Sequence, residues 1–453
     1  MARAKKETAL TPEERLQAAL VPDWEWPYKL PENWCWTNWG ECGEFVAGGG
    51  FKNEYQGFTN YDIPFYKVSS LKTANETGYL CDNTNTVDET VRKKLKAALI
   101  PANSLLFAKI GEAIRLNRRA INTVPCCVDN NMMAFIPIIC QLKYAFYWSK
   151  GIDLYDFTNA TTVPAIRKTD LEKISFPLAP LAEQQRIVDR IESLFAKLDE
   201  AKEKTQTVVD SFETRKSAIL HKAFTGELTA KWREEHGVGM ESWKKKSVGE
   251  LCISLKYGTA KKSDASGNVV VLRMGNLQQG EIDWSDLAYS NDPDDIEKYK
   301  LFPGDVLFNR TNSAALVGKT AIYRGEHPAI YAGYLIKLDY DHDKIIGDYL
   351  NYALNTLDAK KYCNSVKTDG VNQSNINAKK IGAYSFNVPS IPEQEKIVSV
   401  IQKLLSKEQQ TKEAAEIVLD QIELMKKSIL ARAFRGELGT NDPSEESAVK
   451  LLR

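Results

Sequence analysis

Ser313 to Thr320 reads SAALVGKT and ends in the Gly-Lys-Thr that closes a phosphate-binding loop. Such a loop needs a glycine at its head, so that consecutive backbone N–H groups can wrap the phosphates, and a helix directly behind the lysine. Ser313 stands where that glycine belongs, and AIYRG behind it has strand character. A strand–turn–strand with Lys319 facing outward is expected there. FVAGGGFKN, Phe45 to Asn53, places glycines near a lysine but lacks the strand–GxGxxG–helix context of a dinucleotide site. Its glycines are expected to let the backbone approach a ligand closely. Amino-group methylation calls for an Asn/Asp-Pro-Pro-aromatic stretch, which NDPDD and NDPSEE do not supply. PDDIEKYK, Pro293 to Lys300, is a weak match to a nuclease's carboxylates and lysine, and reads as a solvated turn entering a helix. The eight cysteines (Cys35, Cys42, Cys81, Cys126, Cys127, Cys140, Cys252, Cys363) form no CxxC, and the four histidines fall at no ligand spacing. No metal site is expected. With no Ser/His/Asp or Cys/His grouping either, the chain is expected to be non-catalytic.

Binding chemistry is better represented. Basic, amide and aromatic residues cluster in polar loops: Lys52 and Asn53; Lys109; Arg115, Arg118 and Arg119; Tyr257, Lys261 and Lys262; Arg273 and Asn276; Arg310 and Asn312; Lys319; and Lys367, Asn372, Gln373 and Asn375. Arginine and lysine read guanine edges, asparagine and glutamine read adenine edges, and the same groups hold phosphates. Any one cluster is an ordinary polar loop; their recurrence in both halves of the chain makes the set the candidate DNA contacts. Net charge is zero, from 60 Lys+Arg and 60 Asp+Glu. That argues against nonspecific coating of nucleic acid but not against a local basic face.

The elements that must position these loops are written twice. Ile174–Leu228 and Tyr384–Leu438 align without a gap at an offset of 210, and about twenty of the paired positions are identical. Each copy opens with a proline-rich turn and an acidic pair, Glu183-Gln184 or Glu393-Gln394, as a helix start should. A 4,3 spacing follows. It runs through Ile187, Ile191, Leu194, Leu198, Ala201, Thr205, Val208, Phe212, Arg215 and Ile219, and through Ile397, Ile401, Leu404, Glu408, Thr411, Ala415, Val418, Ile422, Met425 and Ile429. A 3.5-residue repeat predicts a coiled-coil seam, each helix ending near Gly226 or Gly436. The expectation is that the two helices, each of ~40 residues and about 60 Å, pack on each other.

The segments between also pair. PENWCWTNWGECGEFVAGG resembles MESWKKKSVGELCISLKYG at an offset of 209, Ile63–Leu71 parallels Val269–Leu277, and Ile100–Ala113 parallels Leu301–Ala314. Short strands between Pro/Gly turns, with helical or mixed stretches at Ile282–Tyr299 and Asp348–Lys361, make each a small mixed α/β module. Length alone allows about two to four domains. No apolar run approaches the ~20 residues of a membrane span, and the N-terminal stretch lacks a secretory h-region, so a cytoplasmic protein with unpaired cysteines is expected. Thr8–Leu20 reads as a short amphipathic helix.

From about Leu30 to Leu438 the chain resembles the specificity subunit of a type I restriction–modification system. The marks are LPENW, the proline-rich leads into EQQRIV and EQEKIV, the ends AILHKAFTGEL and SILARAFRGEL, and VKTDGVNQSNI before the distal helix. The first module departs there, with TTVPAIRKTDL. The resemblance implies an α/β (mixed) fold in which two target recognition domains are joined by two long helices in an antiparallel coiled coil, a pseudo-twofold tandem repeat. It divides the chain into an N-terminal extension (1–29), a first recognition domain (30–175), a central spacer helix region (176–235), a second recognition domain (236–385), a distal spacer helix region (386–440) and a tail (441–453). Each domain would read half of a gapped, asymmetric double-stranded DNA target. Ile187, Ile191, Leu194, Phe224, Ile397, Ile401, Leu404 and Phe434 would belong to the spacer that sets the gap and docks two modification subunits, with two restriction (motor-nuclease) subunits completing the complex. S-adenosylmethionine, ATP and Mg would be bound by those partners, and no cofactor by this chain. A coiled-coil scaffold with two protein-binding modules and no DNA contact is the alternative, and an enzyme with an unrecognised site a further one.

Overall fold

The computed structural model describes residues 11–80, 82–159, 163–371 and 373–453. The chain forms two compact units, Met1–Lys204 with Val418–Arg453, and Thr205–Ile417. Each unit thus takes part of both long helical arms. The first arm is α1 (Leu181–Asp210) and α2 (Phe212–Phe224); the second is the uninterrupted α3 (Ile391–Ala433). Both arms stop before a glycine in the left-handed region, Gly226 at φ 82° and Gly436 at φ 73°. The first arm is expected to be continuous, and its backbone ladder does run through Ser211, from the Ser211 N–H to the Thr207 carbonyl (3.1 Å) and from the Arg215 N–H to the Ser211 carbonyl (3.0 Å). The Ser211 hydroxyl also donates to the Thr207 carbonyl, at 2.6 Å, a bond that loosens the helix locally. Arg215, one turn on, donates to the Val208 carbonyl and pairs with Glu408 at 2.5 Å.

The arms run antiparallel. In the first unit Asp199 pairs with Lys426, and Lys202 with Glu423 at 2.6 Å. Ile187 and Ile191 are fully buried and Leu194 half-buried; in the second unit Ile397 and Ile401 are fully buried, Leu404 half-buried. The 3.5-residue seam fails further along α3. Thr411, Val418 and Met425 are exposed, and Lys412, Leu419 and Lys426 are the covered residues instead. The covered row 397, 401, 404, 408, 412, 415, 419, 422, 426, 430, 433 spaces at 3.6, the period of a straight helix. A strict heptad seam requires supercoiling, and without it the contact stripe drifts by ~20° per heptad.

The first unit holds strands β1 (Cys35–Asn38), β2 (Gly43–Ala47), β3 (Leu105–Ala108), β4 (Arg119–Ile121), β5 (Met132–Pro137) and β6 (Ser175–Leu178). An antiparallel sheet runs in the order β2-β5-β3-β4, and β1 pairs with β6. A smaller sheet joins Ile63–Tyr66 in parallel to Cys127–Val128 and antiparallel to Thr86–Val87. β3 is buried along its whole length, as a central strand covered on both faces should be. Trp39 is fully buried, with rings of Phe45, Phe107, Phe135 and Trp148 about it. Truncating such a residue costs roughly 3–5 kcal/mol. Leu430 and Ala433 of α3, with Phe434 just beyond its end, complete this core.

The second unit repeats the plan with β7 (Lys244–Ser247), β8 (Cys252–Tyr257), β9 (Val306–Asn309), β10 (Thr320–Ile322), β11 (Leu335–Tyr340) and β12 (Ser385–Val388). The sheet order is β8-β11-β9-β10, β7 pairs with β12, and Val269–Leu272 lies parallel to Ala329–Tyr331. One tyrosine of each unit, Tyr144 or Tyr349, donates its hydroxyl to the carbonyl of Pro177 or Asn387.

The repeated Glu-Gln pair is structural in both units. Gln184 accepts from the Gln141 N–H and donates to the Ala179 carbonyl; Gln394 accepts from the Ile346 N–H and donates to Lys344 and Pro389. Both glutamates are fully buried. Glu393 accepts from Arg233 (2.7 Å), Thr229 (2.7 Å) and the indole of Trp243 (3.0 Å). Glu183 accepts from Arg186 (2.6 Å) and Thr440 (2.8 Å), while the indole N–H of Trp34, the counterpart of Trp243, is buried without a hydrogen-bond partner among the described residues. In each unit, then, the segment after one arm's end closes over the other arm's start.

Candidate nucleic-acid interface

The two units place a basic residue at the same point, just past the central strand. After β3, the Lys109 N–H donates to the Asn131 carbonyl (2.8 Å) and its carbonyl accepts from Ile166 N–H (2.9 Å). After β9, Arg310 makes the same two bonds, to the Tyr334 carbonyl (3.0 Å) and from Ile376 N–H (2.8 Å). A glycine supports each turn. A Cβ on Gly48 would lie 1.8 Å from the Asp129 carbonyl oxygen, and one on Gly258 2.2 Å from that of Tyr331. Gly48 of the FVAGGG stretch thus makes a close approach to the chain's own backbone, and Gly50 has open space around it.

In the second unit this point gathers several candidates. The Arg310 guanidinium sits 4.8 Å over the Tyr257 ring and donates to the Gly333 carbonyl, while the Tyr257 hydroxyl accepts from Ala378 N–H. Such a cation–π contact fixes a planar donor set at the surface. Beside it, Thr368–Asp369 and Ser374–Asn375 form a hairpin that pairs with Thr311–Asn312. Asn375 donates to Thr311, and Lys367 to the Ala314 carbonyl. Val371 near the hairpin tip is fully exposed, Gln373 is exposed and Asn312 half-buried; Asn372 lies outside the described residues. Tyr334, half-exposed next to the Arg310 backbone bond, belongs to this group and was missed because a lone tyrosine in a strand-rich stretch looks like core.

Other candidates are committed elsewhere. Lys261 pairs with Asp292 (2.6 Å) and Asp295, which hold its ammonium above the usual lysine range; Lys262 beside it is exposed. Arg273 pairs with Asp286. Asn276 is buried, spanning from the Arg273 N–H to the carbonyls of Asp283 and Asp286, and is not a surface contact. SAALVGKT is a strand–turn–strand as expected, with Gly318 at φ 88°, but Lys319 turns inward onto Gln278 at 2.7 Å.

In the first unit, Arg115 lies 3.6 Å over the Tyr155 ring and pairs with Glu112, and Arg118 is exposed. Lys52 and Asn53 are exposed on the short turn Asn53–Tyr55. Arg119 is a correction. It is buried beneath the helix Leu142–Lys150, donating to Asn117 and the Ser149 carbonyl, and burial pushes its guanidinium down to about 9. A side chain so enclosed cannot reach a phosphate.

Among the described residues no group of three or more His, Cys, Asp or Glu could hold a metal ion, and no helix is long and apolar enough to cross a membrane. The repetition of one sheet order and one strand-end wiring has a match among known families. The model of the type I restriction modification DNA specificity domain fits twice, at residues 31–209 and 240–418. The chain belongs to that family. It is 27% identical over 300 residues to the type I restriction enzyme StySPI specificity subunit of Salmonella potsdam, covering 65% of this chain and 64% of that one. It is 28% identical over 282 residues to the EcoKI specificity subunit of Escherichia coli strain K12, covering 60% of each. The chain thus spans under two thirds of the length of these relatives. The crystal structure of the HsdS subunit from Thermoanaerobacter tengcongensis shares the fold, with a TM-score of 0.59 at 19% identity over 91% of this chain and 100% of that one.

Proposed function

We propose that this chain is the DNA-recognition subunit of a type I restriction–modification complex, each unit reading one half of a gapped, asymmetric double-stranded target. One observation carries the reading: both units use the same sheet order and the same backbone wiring around Lys109 and Arg310, yet surround them with different side chains. A shared frame with divergent loops suits two readers of different half-sequences. In this reading Tyr257, Arg310, Asn312, Tyr334, Lys367, Asn372, Gln373 and Asn375 contact one half-site, and Lys52, Asn53, Lys109, Arg115 and Arg118 the other. The paired helices, packed through Ile187, Ile191, Leu194, Ile397, Ile401 and Leu404 and ended at Phe224 and Phe434, set the gap and dock two modification subunits. Two restriction subunits complete the complex in the cytoplasm. The chain itself is non-catalytic; S-adenosylmethionine, ATP and Mg are held by the partners.

The test is a genome-wide map of methyladenine in host DNA with and without this chain, the partner subunits intact. Loss of one gapped asymmetric motif is expected; an unchanged map overturns the reading. Removing one heptad from each arm supplies a second arm of the test. Seven residues at 1.5 Å each shorten the spacer by about 10 Å, which is ~3 base pairs of gap. A variant that alters the half-sequences and leaves the gap refutes the spacer role.

A further inference from the structure

β1 and β7 are one strand of the repeat, written twice at an offset of 209, and they are covered differently. In the first unit the outer edge of β1 is occupied by the chain's own N-terminal segment. Leu20 forms an antiparallel bridge with Thr37, the Val21 N–H donates to the Trp36 carbonyl (3.0 Å), and the Thr37 hydroxyl donates to the Ala19 carbonyl (2.7 Å). Tyr28 then closes over the site. Its ring meets Trp36 at 4.9 Å, its carbonyl accepts from the Trp36 indole, and its hydroxyl donates to the Phe434 carbonyl. Cys35, Trp36 and Thr37 are consequently buried. The helix Pro12–Ala19, begun by a capping box between Thr11 and Glu14, leads into this segment.

Among the described residues no segment pairs with the outer edge of β7. Its first three residues, Lys244, Lys245 and Lys246, are all exposed and Ser247 is half-buried, and among the described residues its one strand neighbour is β12. Asn387 on β12 is exposed where Pro177 on β6 is buried. Beside the open edge lies a groove of about 820 Å³ whose walls include Phe224, Lys245, Leu357, Lys361, Tyr384 and Phe386. Phe224 and Phe386 are the counterparts of Phe434 and Phe176, against which the first unit's own segment and core close.

We propose that the outer edge of β7 and this groove bind an extended polypeptide segment of a partner, acidic and carrying an aromatic residue, added as a third strand. The mode is supported by the first unit, where the extended segment Ala19–Val21, followed by Tyr28, takes the same place. A strand edge offers alternating N–H and C=O groups to a second backbone, and adjacent pockets select its side chains. An unpaired edge left open is otherwise a liability. The acidic character follows from three lysines in place of the uncharged Cys35, Trp36 and Thr37. A nucleic-acid backbone fits less well, because Glu213 and Asp358 also line the groove and would face its phosphates.

The probe is a synthetic peptide of residues Ala19–Leu30, ALVPDWEWPYKL, with a photo-crosslinking group at its N-terminus, added to the full-length chain. Micromolar binding is expected, with cross-links to β7 or the groove. Affinity should fall at least tenfold in Lys244→Glu/Lys245→Glu, whose exposed side chains leave folding intact. It should be lost when the peptide's Val21 amide is N-methylated, which removes the pairing N–H and keeps every side chain. Four results overturn the proposal: no binding; cross-links confined to β1; equal binding of the N-methylated peptide; or displacement by random-sequence duplex DNA that itself cross-links to β7.

Discussion

Glu393 and Glu183 are the same residue of the repeat, buried alike but balanced differently, and that difference sets a measurable contrast. Replacing Glu393 by alanine strands Arg233, which is less than a tenth exposed, and removes the acceptor of Thr229 and of the Trp243 indole. Breaking a buried pair by removing one partner costs roughly 3–5 kcal/mol. At roughly 2–4 °C per kcal/mol for a body of this size, melting falls by about 6–20 °C. Glu183→Ala leaves a milder fault. Arg186 is 38% exposed and keeps a second carboxylate, Glu445, at 2.8 Å from each of two guanidinium nitrogens, so roughly 1–3 kcal/mol is expected. The assay is thermal unfolding by circular dichroism and calorimetry of both single variants and of Glu393→Ala/Arg233→Met. The double variant should recover much of the loss, because the stranded charge is gone. If Glu393→Ala costs no more than Glu183→Ala, or if Arg233→Met returns nothing, the buried charge is not what makes Glu393 costly to remove.

Three further outcomes follow from the same geometry. Gly48→Ala and Gly258→Ala should each cost about 1–3 kcal/mol or more, since their Cβ atoms would meet backbone oxygen, while Gly50→Ala should be nearly neutral; melting temperatures compare all three. Arg310→Ala should weaken binding of the cognate duplex by the ~1–3 kcal/mol of one base contact and relax the sequence only in the second unit's half-site, read by competition among single-base variants. Lys360, half-buried, donates to the Gly318 carbonyl, and burial above all, then Lys319 and Lys216, lowers its ammonium from the usual 10.5 to about 8. The unfolded chain therefore holds that proton more tightly, and stability should rise as pH climbs from about 8 towards 10.5. Lys360→Met should flatten that rise in denaturant titrations at fixed pH values.

The repeat made most of the fold legible. Ile63–Leu71 and Val269–Leu277 pair by sequence and both begin as strands, and Ile100–Ala113 and Leu301–Ala314 both carry the central strand. The helix ends fall where Gly226 and Gly436 place them. What failed was burial inside polar stretches. Arg119 and Asn276 have the composition of surface loops, and only tertiary neighbours turn them inward, to the Ser149 carbonyl in one case and the Asp283 and Asp286 carbonyls in the other. The heptad through Thr411, Val418 and Met425 failed for a related reason. A 3.5 and a 3.6 period differ by a fraction of a residue per turn, and only the partner helix decides which stripe is covered. Glu183-Gln184 read as an ordinary acidic helix start, because nothing local shows that residues from far along the chain close over it. The recognition group around Arg310 was partly legible through NRTNS and VKTDGVNQSNIN, whereas Tyr334 became visible only once β9 and β11 were paired.

That closure gives the two units different histories during synthesis. Thr205–Ile417 is one continuous stretch, so the second unit can finish as soon as its own residues leave the ribosome. The first unit starts earlier and ends later. Its core waits for Leu430, Ala433, Phe434 and Ala448, and Glu183 waits for Thr440. Until those residues are made, the first-made half holds Tyr144 without the Phe434 ring that packs on it. Chains arrested after Ile417 should therefore yield a protease-resistant second unit and a digestible first one.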